Sequence, residues 1–228
     1  MQADLVSVII PVYNEERYLA ATIRSALAQS YRPMEIIVID DGSEDGSAEI
    51  ARRFSAVRYV YQKNQGLPAA RNAGIEHAQG EFIAYLDADD LWMPEKLTLQ
   101  VRLLRERPEL GYVFTRQRIF LDAGVERPSW LKPELLEEDT VAYVPSALLA
   151  RRTVFEQVGK FDPHFDLGDD SDWFFRAHDA GIPMDVVPQV LLHKRVHNAN
   201  MTRLAEQSQP QLLEVVRASI QRKRKGRA

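Results

Sequence analysis

EFIAYLDADD, residues 81–90, sets an apolar run directly against a group of acids. Residues 82–86 lack strict alternation, the pattern of a strand buried on both faces. Asp87, Asp89 and Asp90 therefore stand just past that strand's carboxyl end. Towards the amino end, residues 5–10, 34–39 and 57–61 are similar β-branched, apolar runs. Helical patterns separate them. In residues 15–29, Leu19, Ile23, Ala26 and Leu27 recur at three-and-four spacing, and residues 47–54 and 68–77 form shorter helices. This alternation predicts an α/β fold with a mostly parallel central sheet flanked by helices. Such sheets bind ligands beyond the carboxyl ends of their strands.

Further along, a helix starts at Pro94 with Leu97, Val101 and Leu104 as its buried stripe, and residues 112–120 read as a strand. Residues 121–140, rich in Pro, Glu and Asp, form a long surface excursion that carries Trp130. Helices are expected at 151–159 and 169–180, short strands at 184–187 and 190–195, and a last helix at 202–221. In that last helix Leu212, Val216 and Ile220 share one face.

The composition removes several classes of function. The chain has 228 residues and no cysteine, which excludes disulfides, thiolate nucleophiles and cysteine-held metals. Its net charge is −4, and six basic residues with no acid lie within residues 217–228; subtracting them leaves −10 on residues 1–216. So acidic a body does not suit nucleic acid. The glycines form neither the GxGxxG fingerprint nor a Walker-type loop. His193 and His197 are four apart, but Lys194 stands where a zinc protease needs glutamate. The amino end has no basic stretch ahead of its apolar run, which stops at Pro11, and is expected to be a strand, not a signal peptide.

Four polar clusters follow the first four strands: PVYNEE (11–16), DDGSEDGS (40–47), NQGLPAARNAG (64–74) and DADD (87–90). Each alone is ordinary turn chemistry. Four on one rim describe a site. The oxygens of DADD suit Mg²⁺ or Mn²⁺, ions that also hold phosphates. The plainer alternative is an N-capping run, with Asp90 as the cap.

VSVIIPVYNEERYL, VIDDGSEDGS, GLPAARNAG and EFIAYLDADD, followed by GDDSDWFFRA (168–177) and HKRVHNANMT (193–202), resemble the ordered motifs of family 2 glycosyltransferases with the GT-A fold. The resemblance covers about residues 5–202. It implies inverting transfer from a nucleotide-diphospho-sugar, most often a UDP-sugar, to a hydroxyl of a glycan or lipid-linked acceptor. Such chemistry serves polysaccharide, glycolipid or cell-envelope glycan synthesis. By the same resemblance Pro11, Tyr13, Glu15, Asp40, Asp41, Arg71, Asn72, Asp87 and Ala88 surround the donor nucleotide. Asp89 would hold the metal, with His197 as a second ligand or simply a satisfied structural group. Asp170 corresponds to the general base. Asp169 stands where the family usually has glutamate and is assigned with Trp130 to the acceptor side. Asp172 is expected to be a first-turn acid favoured by the helix dipole.

The implied layout is a catalytic domain over residues 1–205, with a nucleotide half (1–92) and an acceptor half (93–205), then a C-terminal helix and basic tail (206–228). The implied location is cytoplasmic. The tail is either a solvated end or a peripheral contact with the inner membrane face. Two other functions were weighed. A sugar nucleotidyltransferase would need a glycine-rich triphosphate loop that is absent. A catalytically silent binding module would not need both DADD and Asp170.

Overall fold

The computed structural model describes residues 1–200 and 205–225, with side chains over 1–200 and 210–224. The expected helix start at Thr202 and the tail residue Arg227 lie outside the described residues, as does the side chain of Lys225. The amino-terminal half runs β1 (Gln2–Val12), α1 (Leu19–Leu27), β2 (Met34–Asp40), α2 (Ser47–Arg52), β3 (Val57–Tyr61), α3 (Leu67–His77) and β4 (Gly80–Tyr85). β5 (Leu91–Trp92), α4 (Lys96–Glu106), β6 (Tyr112–Leu121), α5 (Glu134–Glu137) and β7 (Thr140–Val141) follow. A short 3₁₀ turn (Pro145–Ala147) precedes β8 (Leu149–Arg151), α6 (Arg152–Val158), α7 (Asp169–Asp179), β9 (Met184–Val196) and α8 (Ala205–Lys225).

One sheet contains these strands in the order β3-β2-β1-β4-β8-β6-β9-β5, with β7 on β6. β1 to β4 are mutually parallel, and β8 enters antiparallel between β4 and β6. Every residue from Leu5 to Val12 is buried, as expected for a strand covered on both faces. α3 lies so close over β1 that a Cβ on Gly74 would stand 2.2 Å from Cγ2 of Ile9. Glycine leaves room there for the buried Ile9 side chain.

Three expectations need correction. α1 begins at Leu19, not at residue 15, because the preceding amides are taken by the 43–47 loop. Asn14 donates to Ser43 Oγ, Glu15 to Ser47 Oγ and Glu16 to Asp45 Oδ2, at 2.9–3.0 Å. The two expected strands at 184–187 and 190–195 are a single strand, β9. Its register against β6 jumps from Thr115↔Val187 to Arg116↔Val190, so a bulge takes up Pro188, which has no N–H to give. The last helix does pack on the body, but through Val215, Ser219 and Arg222. Leu212, Val216 and Ile220 are exposed. No helix among the described residues is long and apolar enough to cross a membrane.

Candidate active site

The carboxyl ends of β1, β2 and β4 open into a cleft of about 420 Å³. Pro11, Tyr13, Glu15, Asp41, Asp87, Ala88 and Asp89 all line it, so seven of the expected donor-side and metal residues meet in one place. The Asp41 carboxylate orders one wall. Its Oδ1 accepts from Gln62 Nε2 (2.7 Å) and the Gln65 amide (2.9 Å), and its Oδ2 accepts from the Gly66 amide (2.8 Å). Gly42 lets the chain turn there: its φ is +79°, and a Cβ would stand 2.8 Å from the Asn64 amide nitrogen.

Asp40, Arg71 and Asn72 do not line the cleft. Asp40 is fully buried and accepts from the Tyr59 hydroxyl and from the Ser43 amide. Consecutive residues of an extended chain point to opposite faces, so Asp41 turns to the cleft and Asp40 away from it. Asn72 bonds Phe161 twice, donating to its carbonyl (2.8 Å) and accepting from its amide (3.0 Å). That pins α3 to the segment ahead of α7.

Arg71 is 3% exposed and is the buried hinge of the site. Its Nη2 reaches Asp87 Oδ1 at 3.3 Å and its Nη1 reaches Asp169 Oδ2 at 2.7 Å. One guanidinium thus joins the acid at the end of β4 to the first residue of α7. Burial raises the Asp169 pKa, and Arg71 works against that rise. Asp169, expected on the acceptor side, faces Arg71 and supports the site from behind. Its neighbour Asp170 is half-buried, and among the described residues its carboxylate accepts only the Ser171 amide. Asp172 is buried as well, paired with Arg176 Nε at 2.7 Å and 4.0 Å from Arg222. It is more than a dipole-favoured acid. Trp130 is 37% exposed and is not part of the cleft.

Glu15, Asp89 and His197 place one potential ligand atom each within 4.8 Å of the others. Two carboxylates on the cleft wall, with the buried His197 imidazole behind them, fit a divalent cation, and the nitrogen suits Mn²⁺ better than the harder Mg²⁺. His197 Nε2 lies 3.0 Å from Asp89 Oδ2, and Asn200 Nδ2 donates to the same oxygen at 2.7 Å. The imidazole stacks on Tyr18 with 4.5 Å between ring centroids. Burial and then the Asp89 charge push Glu15 up to about 7, partly opposed by His197.

Sequence reasoning missed Asn200, Lys194 and Ser146. Asn200 and Lys194 line the cleft. Lys194 Nζ also lies 3.4 Å from buried Asp90 Oδ2. Asp90 accepts the Arg195 amide too, so it ties β9 to the DADD turn instead of capping a helix. Ser146 Oγ accepts the Asp87 amide at 3.0 Å, and Trp92 Nε1 donates to the Ser146 carbonyl. These contacts span more than 50 residues of sequence, so no local spacing announces them.

The arrangement is that of a GT-A nucleotide-sugar transferase. The model of the family described as glycosyl transferase family 2 matches residues 7–163. The chain belongs to that family. It is 32% identical over 216 residues to an uncharacterised glycosyltransferase of Rickettsia typhi, covering 89% of this chain and 67% of the relative. Its fold is similar to that of TarS 1-349 from S. aureus in complex with UDP-GlcNAc: TM-score 0.76, 19% identity, 95% of this chain and 66% of that one. It is also similar to the mannosyltransferase PcManGT from Pyrobaculum calidifontis in complex with GDP-Man and Mn²⁺: TM-score 0.72, 24% identity, 95% and 64% coverage. The chain thus spans about two thirds of the length of these proteins.

Proposed function

We propose that this chain transfers a sugar, with inversion, from a UDP-sugar to a hydroxyl of a glycan or lipid-linked acceptor. The observation that carries the proposal is the Asp87–Arg71–Asp169 bridge, which couples the floor of the cleft to the helix that begins at Asp169 and Asp170. Residues 1–92 would supply the nucleotide cleft and residues 93–205 the acceptor side, with Trp130 and the 121–140 loop meeting the acceptor.

Pro11, Tyr13 and Asp41 would hold the base and Asp87 the ribose, while Glu15, Asp89 and His197 would hold a divalent ion on the diphosphate. Mn²⁺ is favoured by the mixed donor set, and PcManGT was solved with that ion. When bound, the ion would supply Lewis-acid stabilisation of charge on the departing diphosphate. Lys194, on the cleft wall, adds a fixed positive charge. Asp170 would take the proton of the acceptor hydroxyl as its oxygen bonds the anomeric carbon. The bond to the diphosphate breaks on the opposite face, and its electron pair leaves with the diphosphate. A positioned base typically contributes about 10²–10⁴-fold. Asp170 suits this part because, among the described residues, it forms no ion pair, unlike Asp169 and Asp172.

The test is hydrolysis and transfer with UDP-, GDP- and dTDP-sugars, each with and without Mn²⁺. Turnover of a UDP-sugar only with Mn²⁺ supports the proposal. Binding without turnover of any donor would make the chain a nucleotide-sugar-binding module instead.

A further inference from the structure

α8 is amphipathic in an unusual sense: its most apolar face looks outward. Val215 is fully buried and Ser219 nearly so, both against the body. Ser219 and Arg222 bond Asp179 at the end of α7. The flank beside that buried face exposes Leu212, Leu213 (57%), Val216 and Ile220 (46%). At 3.6 residues per turn these four fall within about 100° of one another. They are four of the nine large hydrophobic residues exposed among the described residues.

The border of this face is basic. Leu213, Arg217, Ile220 and Arg224 follow one another at offsets of four, three and four, which sets them along a single ridge. Arg217 and Arg224 are exposed, as is Lys223 beside them. Among the acids with described side chains here, Glu214 reaches His164, and Asp179 is held under the helix by Ser219, Arg222 and Lys223. An outward apolar strip edged by arginine matches the boundary of an anionic bilayer, where side chains enter the acyl region and guanidinium groups stay with the headgroups. A second copy of the chain is a poorer occupant, since pairing two such faces would bring their arginines together.

We propose that α8 docks this chain on an anionic lipid surface through Leu212, Leu213, Val216 and Ile220, with Arg217 and Arg224 on the phosphates. The inference rests on the burial and charge of α8 and stands apart from the transferase reading. It does bear on it. The amino-terminal part of α8 holds the segment before α7, with Gln211 Oε1 accepting the Leu167 amide at 2.9 Å. Docking would therefore keep the end of α7 that carries Asp170 near the lipid, where a lipid-linked acceptor resides.

Sedimentation of the full chain with phosphatidylcholine vesicles, with and without phosphatidylglycerol, tests this. Binding should require phosphatidylglycerol and weaken in high salt. Leu213→Ser/Ile220→Ser should reduce partitioning by about tenfold or more, and Arg217→Gln/Arg224→Gln by roughly fivefold per arginine. Both pairs are solvent-exposed, so circular dichroism should be unchanged, and lipid-free hydrolysis of the donor sugar should continue at the parent rate. Binding to neither vesicle, equal binding to both, or undiminished binding by both double variants overturns the proposal. So does a dimer in solution that Leu213→Ser/Ile220→Ser dissolves, which would assign the face to a second copy. Loss of hydrolysis with lipid binding intact would count against the transferase reading alone.

Discussion

On the proposed donor side Asp41, Asp87 and Asp89 are each held by named donors, whereas on the proposed acceptor side Asp170, among the described residues, accepts only the amide of its own neighbour. The donor wall is made of strand ends locked together by loops, and its carboxylates keep their positions before any ligand arrives. The proposed acceptor wall consists of the first turn of α7, an exposed Trp130 and a long excursion from the sheet. Preorganised groups suit charge that is always in the same place, namely the diphosphate. A base must instead be free to meet a hydroxyl. The boundary between the two walls is Arg71.

The most damaging change is Arg71→Met. It leaves Asp87 and Asp169 without their buried cation, and breaking such a pair costs about 3–5 kcal/mol. Thermal denaturation should show that loss together with loss of UDP binding; an unchanged melting curve would mean the two walls are not joined through this residue. Next is Asp89→Ala, which should abolish Mn²⁺-dependent UDP binding while the fold survives. Calorimetry giving the parent affinity would remove Asp89 from the donor wall.

Asp172→Asn separates structure from chemistry on α7. It weakens the bond to Arg176 and should lower stability by about 1.5–3 kcal/mol, the range for hydrogen bonds to charged groups, with the transfer rate held within a few-fold. A dead but stable Asp172→Asn would place the base at that residue. The smallest effect is one of pH. Glu15 has its folded pKa raised from 4.5 to about 7, so below that pH it is protonated and poor as a ligand. Ligation needs the carboxylate, so Mn²⁺ affinity should rise as pH increases through about 7. The same raised pKa means that between pH 4.5 and about 7 the folded state holds a proton the unfolded chain has released, so metal-free stability should fall as pH rises from 4.5 to about 7. Glu15→Gln should flatten both profiles.

β1, β2 and β4 were legible in the sequence because each is an apolar, largely buried run with its polar cluster directly behind it, whereas β3, expected to be buried in the same way, is a half-exposed edge strand with Tyr61 in solvent. Legibility failed where direction matters more than residue type. Asp40 and Asp41 are adjacent and chemically identical, yet only Asp41 reaches the cleft. Asn72 and Arg71 resemble ligand-binding residues but spend their hydrogen bonds on Phe161, Asp87 and Asp169. Lys194 and Asn200 reach the site because β9 returns beside the DADD turn, a contact more than 100 residues long in sequence. In α8 the 212–216–220 spacing was visible, but not which face the body would cover. Buried Val215 and the Asp179 partner of Ser219 decided that.

Asp170, the acid of the GDDSDW segment that forms no ion pair among the described residues, is the proposed base. Single-turnover transfer by Asp170→Asn, with UDP affinity measured on the same preparation, tests it most directly. Asparagine is nearly isosteric and cannot take a proton, so the rate should fall on the order of 10²-fold or more while UDP and Mn²⁺ bind as before. Transfer at the full rate with unchanged affinity would contradict the claim, and would require the acceptor's proton to leave by another group.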